Sequence, residues 1–190
     1  MANKVSLFVI LDGSGSMGPR ARETVREVNE YIESLRTSPV PVEVTLTVFG
    51  GRGVEIRYAN QPIAEVKPLT SEEYRPEGFT PLYDAIGLTI TKTVVKAQSG
   101  TANLVVVITD GEENASSEFD RGAIFRMISD KQTLGWTFAY LGADQDAWGE
   151  SSKIGYRIGN TISFAGNASP LAYAVLKDAT VHYVRSVASS

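Results

Sequence analysis

Two short runs constrain this chain most. Val5–Leu11 reads V-S-L-F-V-I-L and Leu104–Ile108 reads L-V-V-V-I, both nearly continuous in apolar residues. A strand of that composition has to be covered on both faces, which places it in the middle of a parallel sheet rather than at an edge. Each run leads into an aspartate, Asp12 in the first case and Asp110, after Thr109, in the second. Two central parallel strands that end in carboxylates are the frame for everything else.

The remaining elements alternate around that frame. Val42–Val48 (V-E-V-T-L-T-V) and Val54–Ala59 alternate as half-exposed strands do, and Gly50-Gly51-Arg52-Gly53 between them predicts a hairpin at a sheet edge. Thr137–Leu141 and Thr161–Ala165 predict two further strands. A first helix is predicted to start at Pro19, bury Val25, Val28, Ile32 and Leu35, and stop before Pro39. Pro81 opens a second helix with Leu82, Ile86, Ile90, Val94 and Ala97 on one face; Phe119, Ala123, Met127 and Ile128 mark a third. Pro170–Val187 predicts a closing helix with Leu176, Ala179, Tyr183 and Val187 inward. The result is an α/β fold: a doubly wound, Rossmann-like, mostly parallel six-stranded sheet with one antiparallel edge strand and helices on both faces. In such sheets ligands sit beyond the carboxyl ends of the strands at the switch point, where Asp12 and Asp110 would both lie. With 190 residues, 43% of them hydrophobic, the chain is expected to form a single domain over 1–190.

Charge and composition narrow the partners. A net charge of −4, with 18 basic residues scattered rather than clustered, argues against nucleic acid. The absence of cysteine removes disulfides and thiolate metal sites. The longest apolar stretch falls far short of the roughly 20 residues that span a bilayer, so no membrane partner is expected. The N-terminal run lacks the length and cleavage site of a signal peptide, and a cytoplasmic protein is expected.

The loop after the first strand, I-L-D-G-S-G-S-M-G-P, admits two chemistries. Its glycines at 13, 15 and 18 fit the G-x-G-x-x-G of dinucleotide binding. That chemistry needs an acid roughly 20 residues on, at the end of the second strand, to hold the ribose. Here the second strand ends Val48-Phe49-Gly50-Gly51, while Glu30 and Glu33 belong to the first helix. Asp12 would moreover set a carboxylate beside the pyrophosphate. The other chemistry is metal binding. Asp12, Ser14 and Ser16 form D-x-S-x-S, and a tight glycine-bearing loop can turn all three oxygens to one point. A hard cation such as Mg²⁺, or Mn²⁺ or Ca²⁺ in its place, wants oxygen donors. Thr80, at the start of the second helix, and Asp110, at the end of the adjacent central strand, supply two more. Blander roles compete for each residue: Ser16 capping a helix start, Thr80 capping before Pro81, Asp110-Gly111 as an ordinary turn.

D-G-S-G-S-M, T-P-L-Y-D-A-I and V-V-V-I-T-D-G-E-E, in this order and strand context, resemble the von Willebrand factor A domain family with its metal-ion-dependent adhesion site, and look like its bacterial and phage-type branch. The resemblance covers at least residues 4–165. It implies that Ser14, Ser16 and Thr80 bind the metal through hydroxyls, Thr80 when a partner is engaged, and that Asp12 and Asp110 hold it largely through water. Phe79 departs from the pattern, since many relatives have glycine there. Glu112 and Glu113 are expected to be rim charges rather than ligands, and His182 to be a surface residue. Trp148 is expected in the core, with the binding rim as the alternative.

Three neutral hydroxyls and two partly water-separated carboxylates under-neutralise a dication, so an Asp or Glu from a partner protein is a well-matched further ligand. Metal-bridged protein binding is the expected function. Two other classes remain open: a Mg²⁺-dependent phosphohydrolase with Asp12 as nucleophile, and a structural subunit of a phage or bacterial assembly with a vestigial site. The phosphohydrolase lacks an acid two residues on, where Ser14 stands, and has no histidine or cysteine nearby as base.

Overall fold

A computed structural model describes residues 2–93, 100–143, 147–157, 161–164 and 169–189. Six strands, β1 (Lys4–Gly13), β2 (Val42–Gly50), β3 (Gly53–Pro62), β4 (Thr101–Thr109), β5 (Thr137–Ala143) and β6 (Thr161–Phe164), form one sheet in the order β3-β2-β1-β4-β5-β6. All neighbours are parallel except β2 and β3, the antiparallel hairpin at one edge. The helices are α1 (Ala21–Glu33), α2 (Leu82–Thr93), α3 (Arg121–Thr133), α4 (Ala147–Lys153) and α5 (Ser169–Ser189). The two apolar runs are the neighbouring centre strands, in register from Val5 opposite Ala102 to Leu11 opposite Ile108.

Alternation along these strands divides the core. Leu7, Val9 and Leu11 face one layer with Val25, Val28 and Ile32 of α1 and Leu176, Val184 and Val187 of α5. Phe8 and Ile10 face the other, with Leu82, Ile86 and Ile90 of α2 and Ile124 and Ile128 of α3. Each such side chain contributes about 1.5–3 kcal/mol by leaving water, and a one-residue slip of β1 would send every one of them to the wrong layer. That register is what fixes where β1 ends, and therefore where Asp12 sits.

The structure differs from the sequence expectations at several helix boundaries. Pro19 does not open α1; it lies inside a short 3-10 turn, Gly15–Arg20, and Arg20 (φ −110°, ψ 8°) breaks the helical path before α1 begins at Ala21. α1 ends at Glu33, ahead of Pro39, and the chain unwinds through Leu35 N–H to Ile32 O and Arg36 N–H to Glu33 O. Arg36 there donates to the carbonyls of Ile63 and Val66, at 2.6 and 2.7 Å, which ties the helix end to the following connection. On α5, Ala179 is exposed and Tyr183 only half-buried. The inward stripe runs through Tyr173, Leu176, Thr180, Val184 and Val187, with the Thr180 hydroxyl 3.0 Å from that of Tyr31. A search for apolar residues passes over a buried threonine, and so shifts the stripe. α4 has no counterpart in the expectations. Val94, Ala97, Ala165 and the side chain of Trp148 lie outside the described residues. Among the described residues no helix is long and apolar enough to cross a membrane.

Candidate metal centre

The centre of the site is the end of β1. Asp12 is fully buried, and both its carboxylate oxygens are occupied: Oδ1 accepts from the Ser14 N–H at 2.7 Å and Oδ2 from the Thr109 hydroxyl at 2.5 Å. Burial pushes its pKa above the ordinary carboxylate value; the hydrogen bonds from Thr109 and Ser14 oppose that rise, and nearby Asp110 adds to it. The Tyr74 hydroxyl, itself buried, donates to the Asp12 carbonyl. Thr109 ends β4 directly beside the end of β1, which explains how a hydroxyl meets the carboxylate across the two strands.

The other predicted residues gather round it. The Ser14 and Ser16 hydroxyls lie 3.1 Å apart, and Ser16 donates to Asp110 Oδ1 at 2.5 Å. Ser14 precedes the 3-10 turn in the N-cap position, yet its side chain makes no capping bond. Ser16 likewise spends its hydroxyl on Ser14 and Asp110 instead of first-turn amides, so helix capping does not account for either serine. Thr80 is clasped from the far side. Its N–H donates to Asn114 Oδ1 at 2.8 Å, and its carbonyl accepts from Asn114 N–H at 3.1 Å.

Convergence is read most directly at Gly111. A Cβ there would lie 3.2 Å from Thr80 Oγ1, 3.6 Å from Ser16 Oγ and 3.7 Å from Asp12 Oδ2. Two segments, the loop 12–16 after β1 and the start of α2, thus bring oxygens round one point beside Gly111, which has no side chain to fill it. Of the five residues singled out in the sequence, Asp12, Ser14, Ser16 and Asp110 are linked by hydrogen bonds, and Thr80 turns its hydroxyl to the same point beside Gly111. The set is oxygen-only and includes two carboxylates, a chemistry that suits a hard cation. Among the described residues no three histidine, aspartate or glutamate side chains group as a metal cluster, so the hydroxyls are indispensable to any such site.

A second network holds the loop that carries Asp110. Glu113 is not a rim charge. Its Oε2 accepts from the Tyr83 N–H and its Oε1 from the amides of Ala115 and Ser116. Buried Asp84 accepts three amides in return, from Ser117, Glu118 and Phe119 at 2.8–2.9 Å. The start of α2 and residues 113–119 are therefore stitched together by two carboxylates: Asp84 takes three amides of the loop, and Glu113 takes the Tyr83 amide of α2 while closing its own turn through Ala115 and Ser116. Glu112 is exposed, as is His182 on the outer face of α5. The sequence offered no signal for Asn114 or Tyr74, and T-D-G pointed to Asp110 while leaving the role of Thr109 unseen.

Thr109→Val tests the orienting hydroxyl. It keeps the shape and leaves Asp12 Oδ2 without a buried donor, so urea denaturation should show a loss of about 1–3 kcal/mol. A loss under about 0.3 kcal/mol would mean that Thr109 does not hold the carboxylate.

Residues 6–170 match the family model of the von Willebrand factor type A domain. The chain belongs to that family. No curated protein matches this von Willebrand factor A chain in sequence. Among solved structures it is similar to proximal thread matrix protein 1 from the mussel byssus, at 16% identity and TM-score 0.68, covering 98% of this chain and 48% of that one. It is similar to the pilus adhesin SpaC from Lactobacillus rhamnosus GG in its open conformation, at 14% identity and TM-score 0.70, covering 96% and 30%. A third is the manganese-loaded TRAP protein of Plasmodium vivax, at 17% identity and TM-score 0.61, covering 90% and 72%. The chain spans less than half the length of the first two, and at these identities the likeness is one of fold.

Proposed function

We propose that this chain is a protein-binding module of the metal-ion-dependent adhesion type. Asp12, Ser14, Ser16, Thr80 and Asp110 would hold a divalent cation, Mg²⁺ first and Mn²⁺ or Ca²⁺ in its place, and the partner would present an Asp or Glu. The observation that carries this reading is the hollow at Gly111, where oxygens of Asp12 and Ser16 from one loop meet that of Thr80 from another. The manganese-loaded state of the TRAP neighbour and the adhesin among the other neighbours support it. When bound, the cation supplies an electrophilic centre for a carboxylate, because three neutral hydroxyls leave it under-neutralised.

The chain's own residues do the preparation. Thr109 and the Ser14 amide fix both oxygens of Asp12, Ser16 bridges to Asp110, and Asn114 fixes the backbone of Thr80. Little reorganisation is then left to oppose binding. The phosphohydrolase alternative fares worse on the same geometry: both oxygens of Asp12 are engaged and the residue is fully buried, a poor state for a nucleophile.

The test joins metal and partner. Mn²⁺ titration should give one site per chain, weakened at least tenfold in Thr80→Ala, and capture of the native partner should fail in EDTA and with the Thr80→Ala protein. Capture at full strength under both conditions overturns the proposal, as does phosphatase turnover that disappears in Asp12→Asn.

A further inference from the structure

Phe79 is an exposed aromatic in a place where nothing in the fold requires one. Its side chain is 70% exposed, while Thr80, the next residue, is 4% exposed and turned towards the hollow at Gly111. Both neighbours are held. The Gly78 carbonyl accepts from the Gly15 N–H at 3.1 Å, and Asn114 clasps the backbone of Thr80 on both sides. The exposed ring is therefore carried on a fixed backbone directly beside a residue of the site. An aromatic side chain so placed loses little conformational freedom when it is covered, and aromatic anchors of this kind dominate binding energies.

We propose that Phe79 is the specificity-determining residue of this surface, and that it selects partner loops in which the Asp or Glu is directly flanked by an apolar side chain. The inference rests on the metal-bridged reading above and names the partner class for that same site. Spacing supports it. Phe79 and Thr80 are adjacent, with Cα atoms ~3.8 Å apart, and so are a partner's acid and its flanking residue. With the acid at the hollow, a flanking side chain comes within one residue's spacing of Phe79. Charge limits the partner further. Asp110 is in the site and Glu112 stands exposed two residues on, so a second acid in the partner would meet like charge. The fitting partner carries a single acid with an apolar neighbour, not an acidic run.

The probes are synthetic peptides displayed densely on beads in millimolar Mg²⁺, so that many weak contacts add. Gly-Gly-Leu-Asp-Gly-Gly is compared with Gly-Gly-Gly-Asp-Gly-Gly and with Gly-Gly-Leu-Asn-Gly-Gly. The expected result is roughly tenfold more capture for Leu-Asp than for Gly-Asp, and background capture for Leu-Asn. Phe79→Ala, whose side chain is too exposed to affect folding, should bring Leu-Asp down to the level of Gly-Asp, and Phe79→Trp should restore the preference. Equal capture of Leu-Asp and Gly-Asp by the wild type, with Leu-Asn still rejected and EDTA still inhibiting, overturns the role of Phe79 and leaves the metal-bridged reading standing. Capture that ignores EDTA, or no capture of any peptide, overturns both.

Discussion

Asp12→Asn is expected to abolish the thermal stabilisation that millimolar Mg²⁺ or Mn²⁺ gives the wild-type chain, without lowering the metal-free Tm. A ligand at about a hundred times its Kd stabilises by about 2.7 kcal/mol, which for a chain of this size raises Tm by roughly 5–10 °C. Asparagine preserves the local bonds. Its carbonyl still accepts from the Ser14 amide, and its amide can donate to the Thr109 hydroxyl, which now accepts. What disappears is a negative charge at the most buried position of the set, and with it the main attraction for a dication. Calorimetric melts of both proteins with metal and with EDTA decide the matter. A rise of several degrees that persists in Asp12→Asn would remove Asp12 from the ligand set.

The same burial gives a pH dependence with a definite sign. The pKa of Asp12 is raised in the folded state, chiefly by desolvation, so the folded chain holds this proton more tightly than the unfolded one. Its contribution to metal-free stability is complete below the ordinary carboxylate pKa and is lost as the pH rises through the raised folded value. Metal affinity runs the opposite way. Below that raised value a proton occupies the carboxylate, and binding has to displace it. Stability in EDTA should therefore fall, and Mn²⁺ affinity rise, over the same stretch of pH above the ordinary carboxylate range. Asp12→Asn should flatten the first of these trends.

Much of this was legible in the sequence because it rests on strong local signals. A continuous apolar run can only be a covered strand, so β1 and β4 were placed, and with them Asp12 and Asp110. Alternation around Gly50–Gly53 gave the hairpin, and Thr80-Pro81 gave the start of α2 to within a residue. What sequence reasoning missed shares a different physical basis. Thr180 is polar yet buried, because Tyr31 from α1 satisfies its hydroxyl, and no periodic count of apolar residues finds it. Glu113 and Asp84 look like surface acids, but their partners are backbone amides, some of them thirty or more residues away, which carry no residue identity to read. Asn114, Thr109 and Tyr74 act through single bonds closed only by the tertiary fold. The residues that could touch a ligand announce themselves by type and spacing; those that aim them do not.

The strongest structural test of that aiming lies at Gly78. Its φ is +69°, a region that costs an alanine about 1–2 kcal/mol. Gly53 shares the penalty at φ +85°, but a Cβ there would have nothing within 4 Å. At Gly78 a Cβ would lie 2.4 Å from the Gly51 Cα and 3.1 Å from the Gly51 nitrogen, both backbone atoms of the hairpin turn. That backbone cannot swing aside, because Gly51 N–H donates to the Glu77 carbonyl at 2.7 Å and Glu77 N–H to the Gly13 carbonyl at 2.9 Å. The end of β1, the hairpin turn and the connection before α2 are tied together at this point, and a displacement reaches Thr80 two residues later. Gly53→Ala should then cost about 1–2 kcal/mol and leave metal stabilisation intact. Gly78→Ala should cost about 3 kcal/mol or more, lower Tm by roughly 6–12 °C, and cut the Mg²⁺-induced rise as well. If urea denaturation puts the two substitutions within about 0.5 kcal/mol of each other, the positive φ alone governs Gly78, and the close approach to Gly51 does not position Thr80.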